Sequence, residues 1–384
     1  MITPLRQLVE HGQSPWYDNF RRSFLTSGRL RTLIESGIQG VTVNPTIFEK
    51  AILDSTDYDA AIGDLLAAGA RPAAIYERLL VEDVTAAADL FRPLYDRTGG
   101  EDGFVSIEVS PRLAHDTEAS VAEARRFWRA INRPNVMVKI PATAEGMPAI
   151  RQLIGEGINV NITLIFAITA YEQVMEAYLG GLEQRAAAGR PLSSLASVAS
   201  FFVSRVDTEV DRRLDARIAA EPEAARRTEW EALRGQAAVA NARIAYQQFR
   251  RTFAGERFAA LRKHGARVQR PLWASTGTKN PAYSDVKYVE ALIGPDTVTT
   301  LPQATIDAFQ DHGRVARTID QHVDEAYQAI ERLESAGISM KEVTETLLAA
   351  GVTSFVDALE KLDAAIGHKR EILLAGQSPR RHGE

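Results

Sequence analysis

The sequence predicts an α/β protein of the (β/α)8 TIM-barrel type with additional helices, on three observations. Short apolar or alternating runs recur along the chain, separated by longer stretches of helical periodicity. That is the pattern of βα units on a parallel sheet. Eight such runs are present, the number that closes a barrel. An open doubly wound sheet is the main alternative, but no Gly-x-Gly-x-x-Gly follows the first run.

In chain order, strands are expected at Pro15–Phe20, Gly40–Pro45, Gly103–Val109, Asn135–Ile140, Gly157–Thr163, Leu195–Val203, Pro271–Ser275 and Thr297–Leu301. Helices are expected between them, as at Tyr58–Ala67, Ala73–Tyr95, Thr117–Ala130, Met147–Glu156 and Thr169–Ala188. Two segments exceed the minimal barrel. Residues 207–262 are long, rich in Arg, Glu and Ala, and form a helical insertion between strands six and seven. Residues 315–372 form C-terminal helices, and 376–384 form a flexible tail. No internal repeat, low-complexity tract or Pro/Gly-rich linker interrupts the chain, so residues 1–384 read as one barrel domain.

Composition narrows the function. The 384 residues include 45 basic and 50 acidic side chains, for a net charge of −5. A broad nucleic-acid footprint wants a basic face instead. With no cysteine, disulfides, thiolate metal sites and a cysteine nucleophile are excluded. The longest uncharged run, Gly157 to Tyr171, has 15 residues, short of the ~20 that span a membrane. No apolar signal segment opens the chain. A soluble cytoplasmic protein is expected, with neither membrane nor nucleic acid as partner; monomer and homodimer both stay open.

The strand faces carry the chemistry. Side chains alternate, so residues two apart share a face. In a barrel sheathed by helices the aliphatic set packs outward. Strand five then turns Asn159, Asn161 and Thr163 inward, strand four Lys139, strand three Ser106 and Glu108, and strand two Thr42 and Asn44. Strand one places Trp16 and Asp18 with the polar set, and strand seven places Trp273 and Ser275 on one face. The inward polar residues fall late in their strands, and barrel enzymes build their sites at those C-terminal ends. Lys139 is one of only eight lysines, which makes it conspicuous.

A lysine in an apolar strand suits covalent chemistry. Desolvation disfavours an ammonium, whereas nearby carboxylates favour it, so the two effects oppose. A neutral amine attacks carbonyls and forms a Schiff base, whose iminium accepts electrons from a breaking C–C bond. Asp18 and Glu108 are suited to move the protons. The bland alternative is an internal ion pair between Lys139 and Glu108 that serves only the fold. None of the seven histidines falls at the end of a strand, so a transition-metal site is not expected. Arg205 after strand six and Lys279 in the Ser-Thr-Gly-Thr-Lys-Asn-Pro loop after strand seven are candidate phosphate ligands.

These segments resemble the transaldolase family, in its longer bacterial subgroup. Gly40-Val41-Thr42-Val43-Asn44-Pro45-Thr46 is similar to its early Asn-Pro signature, and Val136-Met137-Val138-Lys139-Ile140-Pro141-Ala142-Thr143 to its Schiff-base lysine signature. Glu108-Val109-Ser110-Pro111-Arg112 and Asn159-Val160-Asn161-Ile162-Thr163 fit in order and spacing. The resemblance implies a class I aldolase-like barrel in which Lys139 forms the Schiff base. It implies that Asp18 handles the proton of the cleaved carbinol, while Glu108 and Thr163 hold a proton-relaying water. Asn44, Asn161 and Ser200 would bind the dihydroxyacetone unit, and Arg205 and Ser275 the phosphate. It implies reversible dihydroxyacetone transfer from sedoheptulose 7-phosphate to glyceraldehyde 3-phosphate. The products would be erythrose 4-phosphate and fructose 6-phosphate, in the non-oxidative pentose phosphate pathway. Sugar phosphates are the partners implied, with no cofactor and no metal. Two positions depart from the family pattern: Val43 stands where a hydroxyl residue is common, and Gly277 where shorter members carry Arg. Lys279 is the expected replacement for that charge. Two other readings stay open, a Schiff-base aldolase that releases free dihydroxyacetone and a silent barrel that only binds sugar phosphates.

Overall fold

The computed structural model describes residues 2–53 and 55–376. Eight parallel strands close a barrel in sequence order: β1 Gln13–Tyr17, β2 Gly40–Thr42, β3 Phe104–Glu108, β4 Val136–Pro141, β5 Val160–Ile165, β6 Ser197–Phe202, β7 Arg270–Ala274 and β8 Thr297–Leu301. Every expected strand is present, and helices sheathe the outside. Outward residues such as Val105, Val138 and Val160 are fully buried beneath those helices. The aliphatic-out pattern of the sequence is thus the packing pattern of the fold.

Two strands end three residues earlier than the sequence suggests, and both ends shape the site. β1 pairs with β8 from Gln13 opposite Thr297 to Tyr17 opposite Leu301. Pro302 follows Leu301, so the last ladder bond is the Asp18 amide to the Leu301 carbonyl, 3.0 Å. The strand therefore covers Gln13–Tyr17 rather than Pro15–Phe20, and Asp18 stands just beyond its end. β2 stops at Thr42 because a helix begins at Pro45. Asn44 caps that helix, its Oδ1 accepting from the Ile47 amide at 2.9 Å.

The parity read for strand seven is corrected. Leu272 and Ala274 face the barrel interior, while Trp273 packs outward, edge-on to Phe201 at 6.2 Å. Ser275 reaches the interior because its backbone takes a left-handed turn, φ 57°, which breaks the alternation. Leu164 does the same in β5 at φ 59°, where the register with β6 shifts.

The additions resolve into helices. Between β6 and β7 run Ser204–Ala220, Ala224–Glu231, Ala237–Ala254 and Glu256–Arg262. After β8 come Gln303–His312, Val323–Ser335 and the long Met340–Gly376. Short helices at Pro4–Glu10, Arg29–Ser36 and Pro45–Leu53 were not legible as such in the sequence. Of the expected tail 376–384, Gly376 ends the last helix and the remainder lies outside the described residues. Among the described residues, no helix is long and apolar enough to cross a membrane.

Candidate active site

Strand register assembles the centre of the site. Glu108 of β3 pairs with Lys139 of β4, which pairs with Asn161 of β5. Parallel neighbours at one level lie ~4.8 Å apart and point the same way, so three polar side chains meet inside the barrel. Lys139 Nζ donates to Glu108 Oε2 at 2.9 Å, and both residues are buried, at 5% and 7% exposure. Burial raises the Glu108 carboxyl above its usual value, the Lys139 ammonium opposes that rise, and Asp18 adds to it.

A cavity of about 180 Å³ opens above this pair at the C-terminal ends of the strands. Lys139, Asp18, Asn44, Thr163, Ser200 and Arg205 line it, with Ser275 and Lys279 at its β7 side. All of those are residues the sequence singled out. Asp18 Oδ1 accepts from Thr42 Oγ1 at 2.6 Å, which fixes the carboxylate toward the cavity. Thr163 is fully buried, and its Oγ1 has no partner among the described residues. Asn161 is placed differently from Asn44: it does not line the cavity. Its amide donates to Ser106 Oγ at 3.0 Å and its carbonyl accepts from Ser200 Oγ at 2.7 Å. It orients Ser200, which does line the cavity.

The cationic side has an uneven build. Arg205 sits in the first turn of the helix Ser204–Ala220, beside the Phe202 ring at 5.1 Å. Burial lowers its pKa, Asp18 partly offsets this, and no carboxylate of the described residues pairs with it. Lys279 is exposed at the cavity rim. Ser275 Oγ lies 3.0 Å from Ser204 Oγ, and the Ser275 carbonyl accepts from the Ser204 amide at 3.0 Å. A helix start, two hydroxyls and two cations face one corner, which suits an anion.

The family model for transaldolase/fructose-6-phosphate aldolase matches residues 15–366. The chain is 50% identical to a protein named transaldolase from Thermobifida fusca over 364 residues, 94% of this chain and 97% of that one. It is 46% identical to transaldolase 2 of a Nostoc species over 376 residues, 97% and 99% of the two chains. The chain belongs to the transaldolase/fructose-6-phosphate aldolase family. This family membership covers every strand except the start of β1, and every residue that lines the cavity.

Several residues of this family member's site escaped the sequence reading. Thr42 was placed inward but given no task, although it holds Asp18. Phe202, Thr276 and Thr300 line the cavity. Phe202 shares the inward parity of Ser200, a signal present in the sequence. Ser204 is 1% exposed and came into view only through the turn at Ser275. Phe355 comes from the C-terminal helix, far in sequence from every strand; the sequence leaves open whether that helix covers the mouth, and Phe355 lines the cavity.

Proposed function

We propose that this protein is a Schiff-base transaldolase that moves a dihydroxyacetone unit reversibly from sedoheptulose 7-phosphate to glyceraldehyde 3-phosphate. The reading rests above all on the buried Lys139 amine, 2.9 Å from Glu108 at the base of a cavity with two cations at its far side. Lys139 attacks the ketose C2 carbonyl, water departs, and an iminium forms. Asp18, held by Thr42, takes the proton of the C4 hydroxyl. The C3–C4 bond then breaks, its electron pair moves to the iminium, and the aldehyde leaves from a dihydroxyacetone enamine. Addition of the enamine carbon to the acceptor aldehyde reverses these steps, with Asp18 returning the proton. Water then hydrolyses the new iminium and frees the amine. Glu108 relays protons in imine formation and hydrolysis, through a water for which the unpartnered Thr163 hydroxyl is a ready ligand.

Arg205 and Lys279 take the sugar phosphate, with Ser275 beside them. Arg205 supplies a planar fork and Lys279 a point charge at the rim. Asn44 and Ser200 meet the hydroxyls of the three-carbon unit, and Asn161 sets Ser200. The names of the relatives support transfer, while the family name also includes an aldolase. The deciding assay supplies sedoheptulose 7-phosphate and glyceraldehyde 3-phosphate and follows erythrose 4-phosphate and fructose 6-phosphate. Turnover should require both substrates and vanish in Lys139→Ala. Normal turnover in a folded Lys139→Ala protein, or tight sugar-phosphate binding without carbon transfer in the parent, would overturn the reading.

A further inference from the structure

The long C-terminal helix, Met340–Gly376, crosses the mouth of the barrel. It is seated at several points along its length. Near its start Arg213 donates to Glu342 Oε2 at 3.3 Å and to Thr346 Oγ1 at 3.0 Å. Farther on, Arg112 pairs with Asp363 at 3.1 Å, and Lys369 binds Asp59 and the Ser55 carbonyl. Between these clamps the helix presses close to β5. A Cβ added to Gly351 would stand 2.8 Å from Leu164 Cδ2, and Leu164 is itself buried in a left-handed turn. Glycine is what lets the helix seat this closely on the Leu164 side chain.

One turn beyond Gly351 stands Phe355. It is 4% exposed and, among the described residues of this helix, it alone lines the cavity holding Lys139 and Asp18. Around it the cavity is mostly polar: hydroxyls, the Asp18 carboxylate, an amide and cations. A large ring at the mouth of a small polar cavity displaces water that those groups would otherwise hold.

We propose that Phe355 is a specificity-determining residue that reserves the three-carbon enamine for an aldehyde acceptor by keeping water from its reactive carbon. The inference rests on the Schiff-base reading above. The enamine has two fates that differ by one step. In transfer, its nucleophilic carbon bonds to the acceptor carbonyl carbon, and the carbonyl oxygen takes the proton from Asp18. In release, the same carbon takes a proton instead, the iminium returns, and water hydrolyses the C–N bond to give dihydroxyacetone and free Lys139. Release needs a proton donor at that carbon. A water admitted beneath the helix is such a donor, and the Phe355 ring occupies its route.

The test measures partition, the ratio of dihydroxyacetone released to dihydroxyacetone transferred, with fructose 6-phosphate as donor and erythrose 4-phosphate as acceptor. Phe355→Ala should raise it roughly tenfold, the scale one apolar side chain sets in a pocket. Phe355→Leu, which keeps most of the bulk, should fall between Ala and the parent. Gly351→Ala, which crowds the buried Leu164 side chain beneath the helix, should shift partition in the same direction as Phe355→Ala. Borohydride reduction runs alongside each variant. A Lys139 adduct in Phe355→Ala with unchanged partition would overturn this inference alone. Absence of the adduct in the parent protein would overturn the Schiff-base reading and this inference with it.

Discussion

The barrel holds a cation–carboxylate pair near each end, and the two pairs live in opposite surroundings. At the N-terminal floor Arg270 donates to Asp102 at 3.0 Å, to Ser14 Oγ at 2.7 Å and to the Glu101 carbonyl at 2.7 Å. Ser14 in turn donates to Asp102 at 2.9 Å. Among the described residues, the unpartnered polar atoms at the starts of the strands include the amide oxygens of Gln13, Asn135 and Gln269, neutral acceptors. At the C-terminal mouth Lys139 has one carboxylate partner for its three donors. Among the described residues, beside it stand an unpartnered hydroxyl on Thr163 and a desolvated Arg205 with no acid paired to it. The floor also encloses the larger space, about 410 Å³ against about 180 Å³. Cavity size and buried charge thus fail to single out the end proposed to be reactive. Spare cationic and hydroxyl capacity around the pair does, because those are the groups a sugar phosphate can satisfy.

Substitutions at the two ends should separate these roles. The largest effect is expected from Glu108→Gln, which keeps the shape but removes the proton carrier. It should lower kcat by about 10²–10⁴. Burial raises the Glu108 carboxyl, so in the parent its ionised form is lost as pH falls through a value above the ordinary Glu range. The acid limb of the parent kcat/KM profile should lie in that raised position, and Glu108→Gln should lack it. An acid limb retained by the variant would assign it to another group.

At the floor, Arg270→Met should cost about 3 kcal/mol of stability by stranding Asp102 without its partner. Urea unfolding would read that loss, while kcat at a temperature where the variant is folded should match the parent. At the mouth the pattern should invert. Arg205→Met should leave stability within about 1 kcal/mol, since among the described residues no acid pairs with that buried cation and its removal strands no partner. It should raise KM for phosphorylated sugars by about ten- to a hundredfold, the worth of about 1.5–3 kcal/mol in a hydrogen bond to a charged group. The smallest effect belongs to Lys279→Ala. That side chain is exposed, and its loss should raise KM only a few-fold and less so at high salt. Equal KM changes for Arg205 and Lys279 would place the phosphate at the rim.

The difference between the two ends was partly legible in the sequence. Strand alternation placed Lys139, Glu108 and Thr163 on inward faces, because a hydrogen-bonded parallel ladder enforces a period of two, whereas Ser200 came from the family resemblance. The ion pair of Lys139 with Glu108, considered as a bland alternative, is present; it is part of the candidate site as well as of the packing. Alternation failed where the ladder ends. Ser275 reaches the cavity through a left-handed turn, so its inferred companion Trp273 points outward instead. Asn44 and Asn161 looked equivalent in the sequence, but one caps a helix beside the cavity and the other braces a serine beneath it. Whether the C-terminal helix near Phe355 covers the site stayed open in the sequence, because helical periodicity tells which face of a helix is apolar and not what that face lies over. The floor pair joins Asp102 and Arg270 across 168 residues, a contact that only closure of the barrel creates.

The central claim concerns one amine. The most direct measurement is borohydride reduction of the protein in the presence of fructose 6-phosphate, followed by peptide mass spectrometry. The account predicts a single reduced three-carbon or six-carbon adduct, located on Lys139. An unmodified Lys139 in protein that turns over substrate, or an adduct on a different lysine, would contradict it.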